Sequence, residues 1–226
     1  MNISTGRAGT VIVVGTRGSP LALGQTRWVI ARLAELYPQF TFQLEKVRTQ
    51  GDLMRTAPLV QIGGRGVFVK EIEEALLAGR IDLAVHSLKD LPTTQPAGLS
   101  IAAVCPREDP HDVLICPTGD GLDDLPTGTV VGTGSLRRRA QLLARRPDLT
   151  VREIRGNVDT RLRKVDRGEY GATVLAAAGM RRLGYEVQER QYLPLEVMLP
   201  AVGQGALAVE VRQGDERVTA LVRRLN

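Results

Sequence analysis

Three turns of one design mark the places in this chain where chemistry can be done: Gly15-Thr-Arg-Gly-Ser-Pro, Gly132-Thr-Gly-Ser-Leu-Arg-Arg-Arg and Arg155-Gly-Asn-Val-Asp-Thr-Arg. In each, a strand-like run gives way to a helix-like one, and arginine stands at the junction. Backbone N–H groups at a helix start, joined by a guanidinium fork, form a ready site for carboxylate or phosphate. Taken singly, such a turn is an ordinary structural helix start. Three together, with Arg17 and Ser19, Arg137 and Arg138, and Arg155 and Arg161, point to a ligand carrying several negative charges. Arg137 and Arg138 diverge by roughly 100° around a helix, yet at its first turn both can reach an anion held over the helix end. One acid accompanies these bases. In His86-Ser-Leu-Lys-Asp-Leu-Pro, after the strand-like Ile81–Val85, Lys89 can hold an anion and Asp90 can steady a cation or move a proton. A solvated Lys–Asp pair is the plainer reading of those two residues.

Composition narrows the field. The net charge is +5, and only Lys46, Lys70, Lys89 and Lys164 among the 30 basic residues are lysine. Arginine-rich charge suits an anionic ligand, although a GC-rich genome yields the same bias. Nucleic acid is not the expected partner of Arg-Arg-Arg-Ala-Gln-Leu-Leu-Ala-Arg-Arg, because aromatic residues for base stacking make up only 4% of the chain. Two histidines (His86, His111) and two cysteines (Cys105, Cys116), without ligand spacing, argue against a metal site and a disulfide framework. Gly63-Gly-Arg-Gly lacks dinucleotide-fingerprint spacing and reads as a glycine-rich loop. No apolar run approaches the roughly 18 residues of a membrane span. Val11–Val14 is too short for a signal-peptide core, so a cytoplasmic location is expected.

The elements that must position these residues alternate. Strands are expected over Val11–Val14, Thr41–Val47, Ile81–Val85, Val113–Cys116, Val130–Gly132, Val151–Ile154, Ala172–Ala176 and Gln204–Val211. Helices are expected over Leu21–Tyr37, Phe68–Ala78, Leu136–Arg145 and Val158–Asp166. The pattern is that of an α/β protein with mixed, mostly parallel sheets. Prolines near 106–110 and 194–200 mark linkers, predicting a first domain of residues 1–105 plus 201–226, with residues 106–200 inserted as a second and a cleft between them.

The runs GTRGSPLAL, GGRGVFVKEIEEALL, DLAVHSLKDLP, REDPHDVL, VGTGSLRRRAQL, IRGNVDTRL and LPAVGQGALAVE, in this order, resemble the porphobilinogen deaminase (hydroxymethylbilane synthase) family over nearly the whole chain. The resemblance implies two periplasmic-binding-protein-like domains and a transferase of tetrapyrrole (heme) biosynthesis. That enzyme condenses four porphobilinogen molecules into hydroxymethylbilane with loss of ammonia, on a dipyrromethane cofactor. It further implies that Asp90 is the catalytic carboxylate, and that Arg17, Ser19, Lys89, Arg137, Arg138, Arg155 and Arg161 bind acetate and propionate groups. Thr133, Ser135, Arg152, Arg182 and Gln204 match further polar positions of the site, and Phe68 an aromatic beside the substrate. A monomer is the expected state of the complete protein, with neither nucleic acid nor membrane as partner.

Two departures from the family pattern qualify this. Gly134 stands where the family turn usually has a second serine. The family also continues beyond the position of Asn226 with a small domain whose cysteine carries the dipyrromethane, and neither Cys105 nor Cys116 corresponds to it. The sequence given is therefore expected to be inactive alone, as a truncated form. A short homologue completed by another chain and a solute-binding module without chemistry are the alternatives.

Overall fold

The computed structural model describes residues 11–49 and 69–226, so Phe68 and the glycine-rich loop at 63–66 lie outside the described residues. The chain divides into two compact units, Met1–Pro106 with Ala206–Asn226, and Arg107–Gly205.

In the first unit, β1 (Val11–Arg17) leads into α1 (Pro20–Leu36), then β2 (Thr41–Val47), α2 (Lys70–Leu77), β3 (Leu83–Ser87), a 3₁₀ turn (Leu88–Asp90) and β4 (Leu99–Val104). The sheet order is β2-β1-β3-β9-β4, where β9 (Leu207–Arg212) arrives from the far end of the chain and is followed by α6 (Glu216–Val222). β1 pairs in parallel with β2 and β3, whereas β9 runs antiparallel to β3 and β4. One sheet face packs Ile12, Val14, Leu83, Val85, Leu207, Val209 and Val211 against Val29 and Leu33 of α1. The other packs Val13 and Ala84 against Ile72, Ala75 and Leu76 of α2. Each fully buried valine, leucine or isoleucine among these contributes about 1.5–3 kcal/mol.

The second unit holds β5 (Asp112–Ile115), β6 (Val130–Gly132), α3 (Leu136–Arg145), β7 (Thr150–Arg152), α4 (Val158–Asp166), β8 (Ala172–Ala176) and α5 (Ala177–Arg182). Its sheet order is β5-β8-β6-β7, with β6 parallel to β7 and β8, and β5 antiparallel to β8. Leu114, Val131, Leu142, Val174, Leu193 and Met198 form its main core. Cys105 and Cys116 are both buried and unbridged.

Where the structure departs from the expected elements, local chemistry explains it. β3 begins two residues late because Asp82 faces β1, its carboxylate accepting the Val13 N–H at 2.8 Å. Ile81 meanwhile packs so tightly on Gly15 that a Cβ there would lie 2.2 Å from its side chain. β9 also starts late, at Leu207, because Gly203 and Gly205 adopt positive φ (73° and 94°) and break the extended run. Gly205 has a second reason to be glycine: a Cβ would sit 2.2 Å from the Glu108 carbonyl oxygen, which cannot move without its strand connection. Gly205→Ala is expected to cost about 3 kcal/mol or more in urea unfolding; a loss below about 1 kcal/mol would contradict this reading of the turn.

Candidate anion and pyrrole site

In the first unit, the functional residues gather at the carboxyl ends of β1 and β3. Arg17 ends β1 and Ser19 caps α1, its Oγ accepting the Ala22 N–H at 3.2 Å, with Pro20 opening the first turn. Arg17, Ser19, Ala22, Gln25, His86, Ser87 and Asp90 line one cavity of about 60 Å³. Gln25 is buried and donates from Nε2 to the Ser87 hydroxyl at 3.0 Å, which ties α1 to the end of β3. Lys89 and Asp90 follow on the 3₁₀ turn and are exposed. A carboxylate, a guanidinium and a helix-capping hydroxyl around one hollow can hold an acid group at one end of a ligand and a cationic group at the other.

In the second unit, the turn after β6 behaves as its sequence predicts. Thr133 Oγ1 accepts the Ser135 N–H at 3.2 Å, and Ser135 caps α3 by accepting the Arg138 N–H at 3.4 Å. Arg137 and Arg138 do converge on an anion, but that anion belongs to the protein. Each places an NH2 group 2.7 Å from a different oxygen of Asp112, whose side chain is fully buried. Arg138 also donates NH1 to the Val174 carbonyl at 2.8 Å, and Arg137 donates NH1 to the Leu199 carbonyl. Gln204 completes the cluster, donating to Asp112 Oδ1 at 2.9 Å and to the Pro110 carbonyl at 2.7 Å. Burial alone pushes the Asp112 carboxyl up. Arg138, with Arg137 and Gln204, outweighs it and holds the group below the usual carboxylate range.

The remaining arginines lie at the ends of β7, α4 and α5. Arg155 donates Nε to Glu153 at 2.8 Å, and Arg161 donates Nε to the Gly156 carbonyl at 2.8 Å. Arg152 lies over the Tyr170 ring and donates to the Glu169 carbonyl, and Arg182 donates to the Gly205 carbonyl at 2.7 Å. Burial first, then repulsion from Arg138 and Arg155, lowers the Arg161 pKa from its ordinary value. These three arginines with Arg137 set four guanidiniums against the carboxylates of Asp112 and Glu153, and Arg138 Nε is buried with no hydrogen-bond partner. A polycarboxylate fits such a cluster, since it would offset positive charge that is buried at Arg138 and partly buried at Arg137, Arg155 and Arg161.

Three contributors escaped the sequence reading. Gln25 and Ser87 carry no motif of their own, although a glutamine on the buried face of an amphipathic helix is a detectable signal. Asp112 sits inside the REDPHDVL run, but nothing local ties it to arginines 25 and 26 residues onward.

The family model "Porphobilinogen deaminase, dipyromethane cofactor binding domain" matches residues 12–220. A porphobilinogen deaminase from Geobacillus kaustophilus (strain HTA426) is 55% identical over 216 residues, covering 95% of this chain and 70% of that protein. Another, from Syntrophus aciditrophicus (strain SB), is 54% identical over 207 residues, covering 92% and 68%. Among solved structures, a probable amino-acid ABC transporter extracellular-binding protein from Bacillus subtilis aligns with a TM-score of 0.57 at 12% identity, over 95% of this chain and 89% of that one. A putative methionine-binding lipoprotein from Bacillus subtilis aligns at 0.56 and 12%, over 96% and 90%. The architecture is thus the periplasmic-binding-protein-like α/β fold with mixed sheets. Sequence identity on this scale, over this length, carries more than fold, and the chain belongs to the porphobilinogen deaminase family.

Proposed function

We propose that Asp90 is the catalytic carboxylate of a hydroxymethylbilane synthase, and that Arg17 and Ser19 hold the acid groups of the incoming porphobilinogen beside it. The observation carrying this reading is that all three line one cavity at the carboxyl ends of β1 and β3. As the aminomethyl C–N bond of porphobilinogen breaks and ammonia leaves, the electron pair of the pyrrole nitrogen is drawn in and positive charge spreads over the ring. Asp90 offsets that charge where it develops, and Arg17 and Ser19 fix the ring so that its methylene carbon faces the free carbon of the growing chain. When the new C–C bond has formed, the attacked ring loses a proton, which Asp90 can accept.

Lys89, Thr133, Ser135, Arg137, Arg138, Arg152, Arg155, Arg161, Arg182 and Gln204 are the residues we assign to the acetate and propionate groups of cofactor and product. Arg138 enters this set with its fork already engaged by Asp112 and the Val174 carbonyl, so its charge is what it has to offer a ligand. The dipyrromethane supplies, when bound, the nucleophilic pyrrole carbon at which the first coupling occurs. Phe68, outside the described residues, keeps its assignment beside the substrate. Porphobilinogen is the small-molecule partner, and neither nucleic acid nor membrane is assigned one. No helix among the described residues is long and apolar enough to cross a membrane. We assign the protein to the cytoplasm as a monomer.

The test uses the protein in its longest natural form. Incubation with porphobilinogen should release ammonia and give an Ehrlich-reactive linear tetrapyrrole. Binding of porphobilinogen without ammonia release would favour a solute-binding role and overturn the assignment. Arg17→Ala should raise KM by about tenfold or more, the loss expected for one charge-assisted pair, with a smaller effect on kcat.

A further inference from the structure

Behind the cavity of the first unit lies a buried ionisable cluster that the reaction above does not use. His86 on β3 and Glu210 on β9 are diagonal neighbours in the antiparallel pairing, since His86 stands opposite Ala208 and Ala84 opposite Glu210. Their Nε2 and Oε2 atoms are 3.2 Å apart, with side chains only 3% and 0% exposed. Two lone pairs would repel at that distance, so the contact is a hydrogen bond between imidazole and carboxyl group. Glu210 Oε1 is buried without a hydrogen-bond partner, and so is Glu73 Oε1 on α2. Burial first, then repulsion from Glu210, raises the Glu73 pKa, with His86 acting in the opposite direction and Glu74 adding further repulsion.

Stability gives no reason for this arrangement. A buried ion pair is often replaced by apolar residues of the same volume at no loss, and the surrounding sheet face already packs Val13, Ala84, Ile72 and Leu76. Location gives a better one. His86 itself lines the cavity with Arg17, Ser19 and Asp90, and Ser87, which follows it, is the residue that Gln25 binds.

We propose that Glu210 is a positioning residue for the condensation reaction, holding the His86 imidazole in one orientation where His86 lines the pyrrole cavity. The inference rests on the pyrrole-condensing reading given above. Through the pair, the end of β3 that leads to Asp90 is fixed on β9 by a side-chain contact as well as by the strand pairing. Glu73 from α2 interacts electrostatically with both partners, Glu74 adds to the negative charge there, and Arg17 from β1 and Asp90 from the 3₁₀ turn line the cavity together with His86.

Glu210→Gln and His86→Gln in the longest natural form test this, with kcat and KM for porphobilinogen measured alongside the melting temperature. Glu210→Gln keeps the shape and can keep one hydrogen bond but removes the carboxyl group. It should lower kcat by about tenfold to a hundredfold with KM within about twofold. A kcat equal to wild type, a rise in KM in place of the fall in kcat, or a loss that merely follows a fallen melting temperature, would overturn the proposal. A second readout does not need turnover. With only two histidines in the chain, ¹⁵N imidazole resonances can be assigned using His111→Gln. In an Asp90→Asn background the His86 signal should shift when porphobilinogen is added and lose that response in Glu210→Gln. An indifferent His86 signal counts against the pair, whereas a wild-type protein that releases no ammonia counts against the reaction instead.

Discussion

Asp90→Ala is expected to lower the rate of ammonia release from porphobilinogen by at least about 100-fold, the scale on which removal of one preorganised charge-stabilising group is felt. The fold should be untouched. Asp90 is exposed on the 3₁₀ turn after β3, and substitution of an exposed residue outside special backbone geometry changes stability by no more than about 0.5 kcal/mol. Porphobilinogen should still bind, because Arg17 and Ser19 are held independently by the end of β1 and the cap of α1. Steady-state ammonia release beside a thermal melt separates the two effects. Near-normal turnover in Asp90→Ala would refute its assigned role, and Asp90→Asn, which keeps shape without charge, should be almost as impaired.

The largest stability effect is expected at Asp112. Asp112→Ala strands two guanidiniums that now share its carboxylate, one of them nearly fully buried, and leaves Gln204 Nε2 with one acceptor fewer. Removing one partner of a buried ion pair typically costs about 3–5 kcal/mol. In a domain of this size the melting temperature should fall by roughly 10 °C. The sign of the accompanying pH effect follows from the depressed carboxyl. Stability contributed by the pair is fully present above the ordinary carboxylate pKa of about 4, and is lost as the pH falls toward the lower folded value. Wild-type protein should therefore weaken in acid below about pH 4 more steeply than Asp112→Ala, which has already lost that contribution. Equal acid sensitivity of the two proteins would show that Asp112 is not held ionised by Arg138 and Arg137.

How much of this was legible in the sequence depends on how local each signal is. Ser19-Pro20 and Ser135 announced α1 and α3, because a cap acts on N–H groups only two or three residues away. β4 was missed since Leu-Ser-Ile-Ala-Ala-Val has two alanines, no alternation and an irregular pairing near Ile101–Ala103. α5 was missed because it starts directly from β8 with no capping side chain, and α6 because seven residues span too little of a helical period to declare it. The arginines illustrate the limit for the site. Their types and places at strand ends were readable, and so was the convergence of Arg137 and Arg138 on an anion. That the anion is Asp112 depended on β5 lying beside β8, a long-range pairing that local periodicity does not encode.

The position of β9 bears on how the protein is made. In the order β2-β1-β3-β9-β4, β3 lacks its second neighbour and β4 has no neighbour in the sheet until residues 207–212 have left the ribosome. The intervening residues 107–205 form a continuous stretch that needs nothing from outside itself to complete its sheet. During synthesis the middle of the chain can therefore finish folding while the earlier strands still wait with an open edge, exposed to wrong pairing and to chaperones.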